Sequence, residues 1–119
     1  MPPPQDFTLE IPIFAKLYDF YKNLSQVLTY FPKVKRFTLG ERLDIISLEL
    51  IELIIFARYL PRDKKLATLS KVSVKLDLLK ILIRLSFETK CLDNNKYQQL
   101  TSQIIEIGKM LGGWIRIVK

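Results

Sequence analysis

Apolar residues recur along this chain at alternating spacings of three and four, the signature of a helix with one buried face. Four segments carry the pattern. The first runs Phe14, Leu17, Tyr21, Leu24, Leu28, Phe31, and the second Leu39, Leu43, Ile46, Leu50, Leu53, Ala57, Leu60. The third runs Leu66, Leu69, Val72, Leu76, Leu79, Ile83, and the fourth Tyr97, Leu100, Ile104, Ile107, Leu111, Trp114, Val118. No segment shows the alternation of a strand.

Punctuation residues divide these runs. Pro32 interrupts after the first, and Thr38 with Glu41 predicts a capping box at the start of the second. Pro61 ends the second helix, Asp63 is the expected N-cap of the third, and Asp93 that of the fourth. Short connections make neighbouring helices antiparallel. The prediction is a single all-α domain over residues 1–119, an up-down-up-down four-helix bundle. Its Pro-rich N-terminal segment, residues 1–11, is expected to be poorly ordered. The second helix, at roughly 22 residues, spans about 33 Å.

A bundle needs one apolar stripe per helix, and this chain has more. The second helix carries another seam at Ile45, Leu48, Ile55 and Tyr59, and the third at Val74, Leu78, Ile81 and Leu85. A helix apolar on most sides is buried on most sides, so self-association is expected, the alternative being a broad core stripe in a monomer. On the fourth helix a second stripe runs Thr101, Ile105, Gly108, Gly112, Ile115. Gly108 and Gly112 thus stand where the other helices carry large side chains. Each costs about 1 kcal/mol against alanine in a helix interior. A close helix approach, within the bundle or between subunits, is the expected compensation.

Those glycines lie in "IGKMLGGWIR" (107–116), which is not a phosphate-binding loop. A Walker motif is G-x-x-x-x-G-K-[ST] between a strand and a helix; here the lysine follows the first glycine and the helical period runs straight through. Other catalytic chemistry is scarce. The chain has no histidine and one cysteine, Cys91. That removes His-based acid–base catalysis, Ser-His-Asp triads, His-ligated metal sites, histidine-dependent helical-bundle nucleases, and any disulfide within the chain. Glu49 and Glu52 lie three apart on the second helix without a base or metal partner, and are expected to be solvated or salt-bridged. The expectation is a non-enzyme that needs no cofactor and no metal.

Composition adds location and partner class. With 49% hydrophobic and 26% charged residues, the chain reads as an ordinary globular protein. Its most apolar run, "IISLELIELIIFA", is broken by Glu49 and Glu52, so a membrane span is not expected. Nor does "MPPPQDFTLE" resemble a signal peptide. A cytoplasmic location is expected.

The net charge is +7, and +6 of it comes from two short stretches: Lys33, Lys35 and Arg36, and then Arg58, Arg62, Lys64 and Lys65 against Asp63. Antiparallel topology puts the first cluster near Lys90 and Lys96 and the second near Arg116 and Lys119. Both ends of the bundle are therefore basic. In a ring of subunits each would repeat as a crown suited to a phosphate backbone, with little sequence preference, since no base-reading motif is visible. Lysines at bundle ends also serve solubility. Asp77, Lys80, Arg84 and Glu88 fall at helical spacings with opposite signs adjacent, the pattern of a self-paired solvated face.

"FPKVKRFTLGERL" (31–43), "LDLLKILIRLS" (76–86) and "IGKMLGGWIR" (107–116), in this order and spacing, resemble the accessory variability determinant (Avd) proteins of diversity-generating retroelements over roughly residues 14–117. The four-helix proteins encoded in ribosomal RNA intervening sequences share the "FPK" start. Their S-I-x-x-N-I-A-E-G pattern is replaced here by "SLELIELIIFA", which favours the retroelement branch over a structural or adaptor bundle of the intervening-sequence type. The resemblance implies a basic four-helix bundle in a homopentameric barrel. It implies binding to the element's reverse transcriptase and to RNA and DNA, in support of adenine-specific mutagenic copying of a template repeat into a variable repeat. It implies no enzymatic activity. Lys33, Arg36 and Arg42 match basic places of the first motif, Lys80 and Arg84 those of the second, and Lys109 and Arg116 those of the third; Lys35 falls where the family varies.

Overall fold

The computed structural model describes residues 11–119, so the Pro-rich N-terminal segment, Ile11 apart, lies outside the described residues. Among those residues there are four long helices and no strand: α1 (Pro12–Leu28), α2 (Glu41–Tyr59), α3 (Arg62–Glu88) and α4 (Asn94–Val118). Each packs on two others, α1 on α2 and α4, and α3 on α2 and α4, which closes a four-helix bundle. Pro12 opens α1, where its missing N–H has no intrahelical partner to lose.

The core is made of the predicted seams. Leu17 and Leu24, Leu43, Ile46 and Leu50, Leu69, Val72, Leu79 and Ile83, Leu100 and Ile107 are all at most 1% exposed. Four buried apolar positions of the helices fall off the seams, Ile13, Phe20 and Val27 on α1 and Ile54 on α2. Leu53, the predicted core residue, is half-buried beside Ile54. Both are apolar, so the three-four pattern alone could not choose between them. Ser47 and Ser86 are buried too, each donating its hydroxyl to the carbonyl one turn back, Leu43 at 2.7 Å and Leu82 at 2.8 Å, so neither is left unsatisfied.

Two of the helix starts differ from expectation and a third agrees with it. The Thr38–Glu41 capping box does not form, because the chain is already helical there. A short α turn (Lys33–Lys35) begins directly after Pro32 and passes through a π turn (Arg36–Gly40) into α2. Thr38 Oγ1 instead faces backwards, 3.3 Å from the Lys35 carbonyl. The first basic cluster is thus helical and not a loop. Asp63 is not an N-cap either. Pro61 holds that position without a side-chain bond, and Asp63 sits in the first turn, where a carboxylate still favours the positive end of the helix dipole. Asp93 does cap α4, accepting from the Lys96 N–H at 2.8 Å. That bond, with a second from the Lys96 side chain, holds the Asp93 carboxyl below the usual carboxylate range.

Helix α3 closes with paired bonds from Lys90 N–H to the Phe87 carbonyl and from Cys91 N–H to the Ser86 carbonyl. This is a Schellman motif, and it places Lys90 at φ 66°, where glycine is the usual occupant. Cys91 is buried behind it, and Phe87 stacks on Tyr97 at 4.4 Å across the connection.

The second seams of α2 and α3 lie outside the core. Ile45, Leu48, Ile55, Tyr59, Val74, Ile81 and Leu85 are exposed, and Leu78 is half-buried. A broad monomer core does not absorb them. Among the described residues no close approach occurs at the α4 glycines. A Cβ on Gly108 would meet only Leu76 at 3.8 Å, and one on Gly112 only the Arg116 guanidinium at 3.9 Å, both ordinary contacts. The intrabundle form of that expectation is therefore corrected.

Candidate nucleic-acid interface

Most of the basic residues gather in three places. At one end of the bundle lie Lys33, Lys35 and Arg36, with Lys90 on the neighbouring connection and Lys96 in the first turn of α4. Arg36 donates to the Thr29 carbonyl at 2.9 Å, which satisfies an orphan carbonyl at the end of α1. Lys96 Nζ stands 3.1 Å from Asp93 and 4.8 Å from the centre of the Tyr30 ring. The Thr29–Tyr30 turn therefore joins Arg36 and Lys96 into one cationic surface, as the topology predicts. Lys90, on the connection at the same end, takes a left-handed conformation that costs a non-glycine residue roughly 1 kcal/mol.

The opposite end holds Arg58, Arg62, Lys64, Lys65, Arg116 and Lys119. Two of these have structural work that sequence spacing did not show. Lys65 donates to the carbonyls of Ala57 and Arg58, each at 2.8 Å, and Arg62 to that of Ile117 at 2.9 Å. Each supplies the cation that a helix C-terminus favours. Lys65 also lies 5.9 Å over the Trp114 ring, and Arg58 5.7 Å over Tyr59. The second connection and the C-terminal turn of α4 thus share one end, as the up-down topology requires. Between Arg36 and Arg58 the helical rise of 1.5 Å per residue puts the two ends about 33 Å apart, so the clusters do not converge on one site.

The third place is a groove between α3 and α4 of about 260 Å³, floored by Leu76, Ile104 and Gly108 and flanked by Lys80, Lys109 and Asp77. It brings together Lys80 and Lys109 from the second and third motifs. Arg84 is paired to Glu88 at 3.3 Å, as the self-paired reading expects of that half of the face, whereas no ion pair joins Asp77 to Lys80. Arg42 is exposed on the first turn of α2, at the end of the bundle that carries Lys33, Lys35 and Arg36. Glu49 is held by Lys75 at 2.8 Å, which pins α2 to α3. No helix among the described residues is long and apolar enough to cross a membrane.

Comparison with known proteins agrees with the motif resemblance. The sequence model of the family described as bAvd-like matches residues 12–118, the whole of the bundle. No curated protein and no solved structure matches the chain.

Proposed function

The chain belongs to the bAvd-like family, and from that premise we propose that it is a non-enzymatic accessory protein of a diversity-generating retroelement, acting by holding template RNA and cDNA near the element's reverse transcriptase. The observation that carries this reading is the family match over the entire bundle. The charge distribution supports it: two basic ends and the Lys80–Lys109 groove offer cations to a phosphate backbone, whose neutralisation releases counterions and is insensitive to sequence.

Assembly into a homo-oligomer, a pentamer by the family resemblance, multiplies each basic end around a ring. The exposed apolar face of α2 and α3 supports this, since contiguous apolar surface on a small protein marks an interaction site. The glycine stripe on α4, having no close partner among the described residues, offers a second surface where a neighbour's helix can approach. The protein works in the cytoplasm, where template transcript and polymerase meet.

The test is a copying assay in cells that carry the reverse transcriptase, a template repeat and a variable repeat. With the chain present, adenine-directed substitutions accumulate in the variable repeat. If they accumulate equally without it, the accessory role is refuted.

A further inference from the structure

Along the seam between α1 and α4 runs a groove lined mainly by amides, with one lysine at its end. Two adjoining openings, of about 600 and 330 Å³, share Asn23 and Gln99 as common lining. Gln26, Gln98 and Gln103 complete a set of five amide side chains, and no carboxylate lines either opening. Asn23 Nδ2 donates to Gln103 Oε1 at 2.8 Å. That bond uses one donor and one acceptor and leaves an acceptor on Asn23 and a donor on Gln103 for a ligand.

One opening ends at Tyr30, which is 72% exposed although aromatic. The Lys96 ammonium, which Asp93 also holds at 3.1 Å, lies against the ring at 4.8 Å. Arg36 is fixed on the carbonyl of Thr29, itself part of the same lining. The order along the groove is therefore amides, then an exposed ring, then two cations. Binding to a phosphate backbone alone needs only the cations. Flat polar edges with both donors and acceptors, and a π face to stack on, are what an unpaired nucleobase presents.

We propose that this groove takes the bases of a single-stranded nucleic acid, with Tyr30 as the stacking platform, the Asn23, Gln99 and Gln103 amides on base edges, and Arg36 and Lys96 on the flanking phosphates. The proposal rests on the nucleic-acid reading above and deepens it. A duplex is a poor ligand here because its base faces are stacked and its pairing edges occupied.

The experiment compares, at one low salt concentration, a fluorescent single-stranded oligonucleotide, an abasic strand of equal length and a duplex. The unaltered chain binds the base-bearing strand about tenfold more tightly than the abasic one, the scale of one base–aromatic stack. Tyr30→Ala removes that preference without weakening the abasic strand, and Tyr30→Phe keeps it. Melting temperatures of both variants confirm that the bundle is intact. Equal binding of base-bearing and abasic strands by the unaltered chain overturns the proposal and leaves backbone binding standing. A preference that survives Tyr30→Ala overturns the placement. Binding to none of the three strands overturns this proposal and the nucleic-acid reading together.

Discussion

Replacing Gly108 and Gly112 by alanine separates the folding of the subunit from its assembly. Neither glycine has a positive φ, so alanine meets no backbone strain. An added Cβ would lie 3.8 Å from Leu76 at Gly108 and 3.9 Å from Arg116 at Gly112, so nothing must move. What remains is the helix preference of alanine over glycine, about 1 kcal/mol at each position, or about 2 kcal/mol for the pair. The entropy of unfolding of a chain this size converts each into a rise of about 4 °C in melting temperature. The assay is thermal unfolding followed by circular dichroism at a fixed low protein concentration, because association itself shifts the midpoint, with sedimentation of the same samples at high concentration. If the stripe is an intersubunit contact, the double variant melts higher as a subunit yet sediments as a smaller species. Bulkier Gly112→Leu exaggerates the second effect. A double variant that melts lower at every concentration refutes the reasoning, because it requires a close approach inside the chain.

Further predictions concern single residues. Ile54→Ala empties a fully buried site and costs about 3 kcal/mol in urea unfolding, several times the cost of Leu53→Ala; equal costs contradict the observed helix phase. Tyr21 donates to Asp44 at 2.7 Å, and that bond, then burial and the Asp44 charge, raise its ionisation above the ordinary tyrosine range. Because the folded value is the higher one, the stability it brings is complete below about pH 10 and is lost as pH rises through the raised folded value. Tyr21→Phe therefore destabilises by about 1 kcal/mol at pH 7, and the gap closes in strong alkali; no gap at pH 7 contradicts the bond. Lys90→Gly relieves the left-handed lysine and stabilises the fold by about 1 kcal/mol while weakening nucleic-acid binding. A variant that is both more stable and equally tight removes Lys90 from the interface.

The bundle was legible in the sequence because burial writes itself as period: Leu69, Val72, Leu79 and Ile83 are core by spacing and core in the structure. Helix starts were less legible. Thr38 and Glu41 satisfy the pattern of a capping box, yet Pro32, which has no N–H to leave unpaired, had already begun the helix. The basic clusters are legible as runs of charge, and their division of labour is not. That Arg62 and Lys65 close helix ends while Lys33 and Lys64 do not depends on where the carbonyls of Ile117 and Ala57 arrive in space. The amide groove left no signal, because Asn23 and Gln103 are 80 residues apart and neutral polar residues on two helix surfaces look like ordinary solvated positions.

The central claim is that the basic ends hold nucleic acid by its phosphates, and the salt dependence of binding tests it most directly. Lys33→Glu with Lys35→Glu at one end, and Lys64→Glu with Arg116→Glu at the other, change the charge while leaving the helix-closing Arg36, Arg62 and Lys65 in place. For a single strand the slope of log K against log salt is about −0.7 per phosphate neutralised. The account predicts a steep negative slope for the unaltered chain, flattened by about 0.7 for every phosphate contact that the reversals remove. A slope near zero for the unaltered chain, or one unchanged when both ends are reversed, contradicts it.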